Sequence, residues 1–226
     1  MDESKSRSVV VGAGDAALQG DLALPAGAPG VVVFAHGSGS DRHSPRNRFV
    51  AEALAGAGLA TLLVDLLTPE EKQIDEHSGR IRFDIALLAR RLTGVVDWLG
   101  EQDDTSDLRI GLYGSSTGAA AALISAAERP ERISTVVSRG GRSDLAGDAL
   151  GRVRTPTLFI VGGHDLTVLE LNRASIERMS APTRLEVIPG AGHLFERPGA
   201  LEQVSVLARD WFRDHLGASA LSAHGA

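Results

Sequence analysis

A chain of 226 residues is about one and a half typical domain lengths, so one domain is expected, burying about 70% of its unfolded surface. Hydrophobic residues at 43% and charged residues at 23% exclude a largely disordered chain, and 23 Lys and Arg against 29 Asp and Glu, a net charge of -6, speak against a nucleic-acid partner. The absence of cysteine rules out disulfides, a thiolate nucleophile and Cys-held metal, and no apolar stretch is long enough for a membrane span.

Met1 to Arg7 is polar and opens acidic, and the apolar run behind it is too short for a signal peptide, so a cytoplasmic location is the default. Val9–Val11 and Leu18–Leu24 read as short opening strands around the turn-like Gly12 to Asp15. Gly30–Ala35 (GVVVFA) is a continuous β-branched and aromatic run, the mark of a strand buried on both faces. A Gly/Ser loop follows, then a helix from Pro45 to Ala57 that Gly58 closes. Leu59–Leu67 reads as a second buried strand, and the mostly acidic stretch Thr68–Gly79 as an exposed loop. Apolar residues at helical spacing predict one long helix over Ile81–Gly100.

Beyond it, strands at Arg109–Tyr113, Ser134–Ser138, Thr157–Val161 and Arg184–Ile188 alternate with helices at Gly118–Ala127, Ser143–Val153, Val168–Met179 and Leu201–Leu216. Such alternation predicts an α/β domain over residues 1–216, a mainly parallel sheet with helices on both faces and an antiparallel edge from the opening strands. Residues 217–226 read as a frayed tail. Between Ser138 and Thr157 there is room for one short helix and no lid domain.

The most specific local signal is Gly114-Ser115-Ser116-Thr117-Gly118, a G-x-S-x-G between the strand RIGLY and the helix GAAAALISAA. A serine on such a sharp turn projects its hydroxyl above the sheet, and the helix N-terminus adds a partial positive field for a developing oxyanion. A serine hydroxyl needs a base, and the base an orienting carboxylate, in the chain order Ser, acid, His. Asp165 follows the strand TLFIV in Gly162-Gly163-His164-Asp165, and His193 follows RLEVI in Pro189-Gly190-Ala191-Gly192-His193. His164 adjoins the acid, but the chain order favours His193.

Two backbone N–H groups are needed for the oxyanion. Thr117, after the nucleophile, supplies one, and the loop His36-Gly37-Ser38-Gly39 supplies the other, with Ser38 the first choice and Gly39 the second. Neither a phosphate loop nor a dinucleotide fingerprint fits this segment, because no Gly-Lys follows and Arg42 stands where the third Gly belongs. Arg139 and Arg142, after the strand STVVS, are candidates for an anionic substrate group, against a surface pair bound to Asp144 or Asp148. His36 joins them as a candidate substrate contact.

Through FAHGSGSDRHSPRN, GLYGSSTGAAAAL, VGGHD and PGAGHLF, all in family order, the chain resembles the α/β-hydrolase superfamily over nearly its whole length. Within it the chain is similar to the dienelactone-hydrolase-like group. The resemblance implies an eight-stranded sheet, with Ser116 as nucleophile, Asp165 as acid and His193 as base. Dienelactone hydrolases proper carry a cysteine nucleophile, which this chain lacks, so a serine esterase is the expectation. Such an enzyme takes small to medium soluble esters and needs no metal or organic cofactor. Thioester, lactone or acyl-transfer substrates use the same machinery, and a non-catalytic binding protein is the rival from another class.

Overall fold

The computed structural model describes residues 6–217. Eight strands form one sheet: β1 (Arg7–Ala13), β2 (Ala16–Ala23), β3 (Gly30–Ala35), β4 (Ala60–Val64), β5 (Arg109–Ser115), β6 (Ile133–Arg139), β7 (Thr157–Gly162) and β8 (Thr183–Ile188). Their order is β1-β2-β4-β3-β5-β6-β7-β8. The β1–β2 hairpin is antiparallel and meets β4 antiparallel, whereas β4 through β8 are parallel. The predicted antiparallel edge is thus present. The acidic opening up to Lys5 and the predicted tail beyond Gly217 lie outside the described residues.

Strand β3 shows how the sheet acquires two cores. All six of its residues are buried, and the period-2 alternation sends Val31, Val33 and Ala35 to one face and Val32 and Phe34 to the other. The first face packs on α3 (Ile85–Leu99) and α4 (Thr117–Glu128), through Leu92, Val95, Val96 and the alanines of α4. The second packs on α1 (Pro45–Gly56) and α6 (Ala200–Leu216), through Leu54, Ala208 and Phe212. The remaining helices are α2 (Pro69–Ser78) and α5 (Leu166–Glu177).

From β3 the chain runs to β4 on one side of it and later to β5 on the other. Loops that leave the carboxyl ends of β3 and β5 therefore diverge over a crevice, the place where open α/β sheets bind ligands. Between β6 and β7 the regular structure consists of 3-10 turns at Ser143–Arg152, broken by Gly147 at a φ of 56°. No cap domain interrupts the described sheet.

Several elements differ from expectation. Thr68–Gly79 is a helix, not a loop: the Thr68 hydroxyl accepts from Glu71 N–H, the Glu71 carboxylate accepts from Thr68 N–H, and Pro69 opens the first turn. Only Asp75 of this helix is buried, so no apolar stripe marks it in the sequence. The stretch from Ile81 is not one helix, because Asp84 caps α3 by accepting from Leu87 N–H and leaves a separate 3-10 turn at Ile81–Phe83. The strand read over Leu59–Leu67 stops at Val64, where the buried Asp65 turns to cationic partners. The capping box makes α2 testable: Thr68→Ala should cost about 1 kcal/mol, seen as a lower urea midpoint at unchanged slope.

Candidate active site

A single residue, Ser116, connects the end of β5 to the start of α4. Its backbone adopts φ 49° and ψ -119°, a conformation that side-chain-bearing residues avoid. Neighbouring backbone holds it there. Ser116 N–H donates to the Arg139 carbonyl at 3.3 Å, and its own carbonyl accepts from Arg142 N–H at 3.0 Å. A Cβ on Gly118 would overlap the carbonyl oxygen of Ala35, so glycine is what lets α4 start directly against the end of β3. Although Ser116 occupies the N-cap position, its hydroxyl makes no capping bond. It is half-exposed between buried Ser115 and Thr117.

Asp165 and His193, the predicted acid and base, lie on the loops after β7 and β8. Asp165 stands at the N-cap of α5, yet its side chain makes no capping bond. It faces His193 instead, with Oδ2 2.6 Å from Nδ1. The Nδ1–H donates to the carboxylate, which fixes the tautomer and leaves Nε2 as the free base. Asp165 is mostly buried, and the His193 side chain is 40% exposed, so the base remains reachable from solvent. Backbone bonds from Gly163 N–H to the Ile188 carbonyl and from His164 N–H to the Ala191 carbonyl clamp the two loops together. Phe195, buried at a φ of 56°, completes the turn that carries His193. His164 is exposed.

The loop after β3 passes in front of the elbow, with Gly37 close enough that a Cβ there would come within 3.0 Å of Ser116 Cβ. Thr117 is the first residue of α4, where an N–H has no intrahelical acceptor. Ser116, His193, Ser38, Ser40, Ser44, Arg46, Asn47, Ser115 and Arg139 are among the residues lining one cavity of about 250 Å³. Gly39 lies on the far side of its loop, in a neighbouring cavity of about 260 Å³ beneath α2, lined also by Lys72, Asp75 and Arg82. Ser38 borders both.

His36 serves the loop itself. Its ring is buried, Nε2 accepts from Leu66 N–H at 3.0 Å, and Nδ1–H donates to the Gly37 carbonyl at 3.0 Å. Both nitrogens are thus engaged with backbone, tying the end of β3 to the chain after β4. Burial dominates its protonation and pushes the imidazole below its ordinary 6.5, partly offset by the hydrogen bond to Gly37. Asp65, next along, holds the loop from below. Burial alone would raise its carboxyl, but Lys72 and Arg42 outweigh burial and hold it below the ordinary carboxylate value.

The two arginines behave differently. Arg142 is paired in a fork to Asp144, through Nε at 2.9 Å and Nη2 at 2.8 Å, and is absent from the lining of the cavity that holds Ser116 and His193. Arg139 is buried and lines that cavity, its Nη2 donating to Ser115 Oγ at 3.0 Å and Asn47 Oδ1 at 3.3 Å. Its guanidinium lies 5.7 Å above the Phe195 ring. Asn47, Ser115, Arg46 and Phe195 escape sequence reasoning, because nothing local sets them apart from ordinary helix, strand or loop residues.

Residues 18–214 match the sequence model of the Dienelactone hydrolase family. The chain belongs to this family. A dienelactone hydrolase from Anabaena variabilis is 55% identical in sequence and superimposes with a TM-score of 0.92, covering 93% of this chain and 98% of that one. A Mycobacterium tuberculosis protein named "Putative phosphoribosyl transferase Rv0571c" is 56% identical over 212 residues, 94% of this chain but 47% of its own length. This chain therefore spans about half the length of that relative. Est1E from Butyrivibrio proteoclasticus, 16% identical, shares the fold with a TM-score of 0.77 over 93% of this chain and 99% of its own. No helix among the described residues is long and apolar enough to cross a membrane.

The His36 brace predicts a pH dependence within this family member. Below the ordinary imidazole value of 6.5 the unfolded chain takes up a proton that the folded state resists, so stability falls as pH drops. In His36→Gln that loss is absent. The stability gap between wild type and His36→Gln should narrow from about pH 7 to pH 5, by up to about 1.4 kcal/mol per pH unit. Urea unfolding across this range checks it, and a constant gap contradicts it.

Proposed function

We propose that this dienelactone hydrolase family member is a serine hydrolase that cleaves carboxylic esters through an acyl-enzyme. One observation carries the reading: a serine strained onto a strand-to-helix elbow shares a cavity with a histidine whose Nδ1 is bound to a carboxylate at 2.6 Å. Ser116 Oγ attacks the acyl carbonyl carbon and its proton passes to His193 Nε2. The negative charge on the carbonyl oxygen is met by the N–H groups of Thr117 and Ser38, Gly39 being directed into the neighbouring cavity. As the tetrahedral intermediate collapses, the carbon–oxygen bond to the alcohol breaks and His193 returns the proton to the leaving alkoxide. Water then attacks the acyl carbon, gives a proton to His193, and the acid leaves as Ser116 Oγ takes that proton back. Asp165 stabilises the imidazolium in both halves without itself becoming protonated.

A cavity of about 250 Å³ with a partly exposed base suits a small or medium soluble ester. The transferase name of the mycobacterial relative describes a protein about twice this length, and acyl transfer is the chemistry that these residues support. A fluorophosphonate should add one adduct to the intact protein, mapped to Ser116. Ser116→Ala should abolish turnover of p-nitrophenyl acetate, and Asp165→Asn should lower kcat by about 10³- to 10⁴-fold by loosening the tautomer. An unlabelled Ser116, or turnover in Ser116→Ala equal to wild type, ends the ester-hydrolase reading.

A further inference from the structure

The catalytic cavity contains two guanidinium groups and no carboxylate. Arg139 is 6% exposed, and no acidic side chain forms an ion pair with it among the described residues. Its Nη2 is used by Ser115 and Asn47, its Nε is sealed without a hydrogen-bond partner, and the buried Tyr113 hydroxyl faces the guanidinium, whereas Nη1 makes no hydrogen bond among the described residues and is not sealed from solvent. Arg46, in the first turn of α1, lines the same cavity with a side chain that makes no ion pair or hydrogen bond among the described residues. The lining is otherwise glycine, serine, asparagine, leucine and His193. Asp165, the nearby carboxylate, is bound to His193 and lies outside the lining.

A buried cation without a carboxylate is costly unless something supplies the missing charge. Most other cations near the site have a carboxylate partner: Arg42 and Lys72 on Asp65, Arg82 on Asp75, Arg142 on Asp144. In a chain of net charge -6, leaving both lining arginines unpaired concentrates positive potential beside the nucleophile. We propose that Arg139 and Arg46 form a subsite for a phosphate group carried by the ester substrate, an inference that rests on the hydrolase reading of Ser116. Two unneutralised guanidiniums match the charge of a phosphate dianion, with Arg139 offering Nη1 and Arg46 its whole fork to the oxygens. A monoanionic carboxylate would leave one positive charge uncompensated.

Direct titration of the full chain with inorganic phosphate and with acetate tests the subsite independently of turnover. Phosphate should bind at least about tenfold more tightly than acetate. Arg139→Met should abolish that binding, Arg139→Lys should restore it in part, and Arg46→Ala, at a half-exposed position, should weaken it at least about fivefold. Arg142→Ala should leave the phosphate-to-acetate ratio as in wild type. In turnover, the acetyl ester of a phosphate-bearing alcohol should be preferred over the same ester without phosphate. That preference in kcat/KM should fall at least about tenfold in Arg46→Ala.

Equal binding of phosphate and acetate, or phosphate binding unaltered in both Arg46→Ala and Arg139→Met, overturns the subsite. So does Ser116-dependent turnover of neutral esters with no phosphate binding, which leaves the hydrolase reading intact. Phosphate binding that depends on both arginines, without any Ser116-dependent turnover, overturns the hydrolase reading and supports the anion subsite alone.

Discussion

The contact on which the rest of the site depends is between backbone and backbone, where the first turn of α4 meets the carboxyl end of β3. Gly118 lies against the carbonyl oxygens of Ala35 and His36 without room for a Cβ. That closeness lets one residue, Ser116, turn the chain from strand to helix, and it brings the loop from Gly37 onward in front of the serine. Helix and strand would separate with any larger residue at this contact. Ser116 and the loop from Gly37 onward would then separate with them. Strain at Ser116 is sustained because its N–H is held by the last residue of β6 and its carbonyl by the chain just after it.

Charge is arranged around this contact in two ways. Asp65 collects Arg42 and Lys72 at the base of the loop, and the pairing stabilises the carboxylate despite its burial. His36 is kept neutral by burial and spends both nitrogens on backbone. These groups order the loop, and Asp21 and Asp41 add further carboxylates beside Arg42 and Lys72. Inside the cavity that Ser116 and His193 line the arrangement is reversed, and among the described residues Arg139 and Arg46 stand without acids. Stability favours neutralising a buried charge, and the phosphate proposed for this subsite would supply the anion that the fold leaves out.

Much of the fold was legible because period-2 and period-3.6 hydrophobic patterns report burial directly. The run GVVVFA identified the central strand, and the alternation that followed identified a parallel sheet. Helix α2 was not legible, since its stability comes from the Thr68–Glu71 capping box and its surface is charged nearly all round. The break before α3 was hidden by Ile81 and Phe83, whose apolar spacing continues the helical pattern while Asp84 caps the real start. At the site, Ser116, Asp165 and His193 were legible as residues following strands in the order their chemistry demands. Their mutual geometry was not, because loops that meet over the sheet are distant in the chain.

By itself the sequence determined the layered α/β order and a serine at the elbow in a chain without cysteine, since these follow from local pattern and composition. Tertiary structure decided which charges are paired. Arg139 and Arg142 are three positions apart and indistinguishable as text, yet one forks onto Asp144 two residues away. The other reaches Asn47 across a sequence separation of 92. Local contacts can be read along the chain, but whether a cation meets a carboxylate depends on how strand ends and helix starts pack. That packing alone put an acid beside one arginine and the Ser116 cavity beside the other.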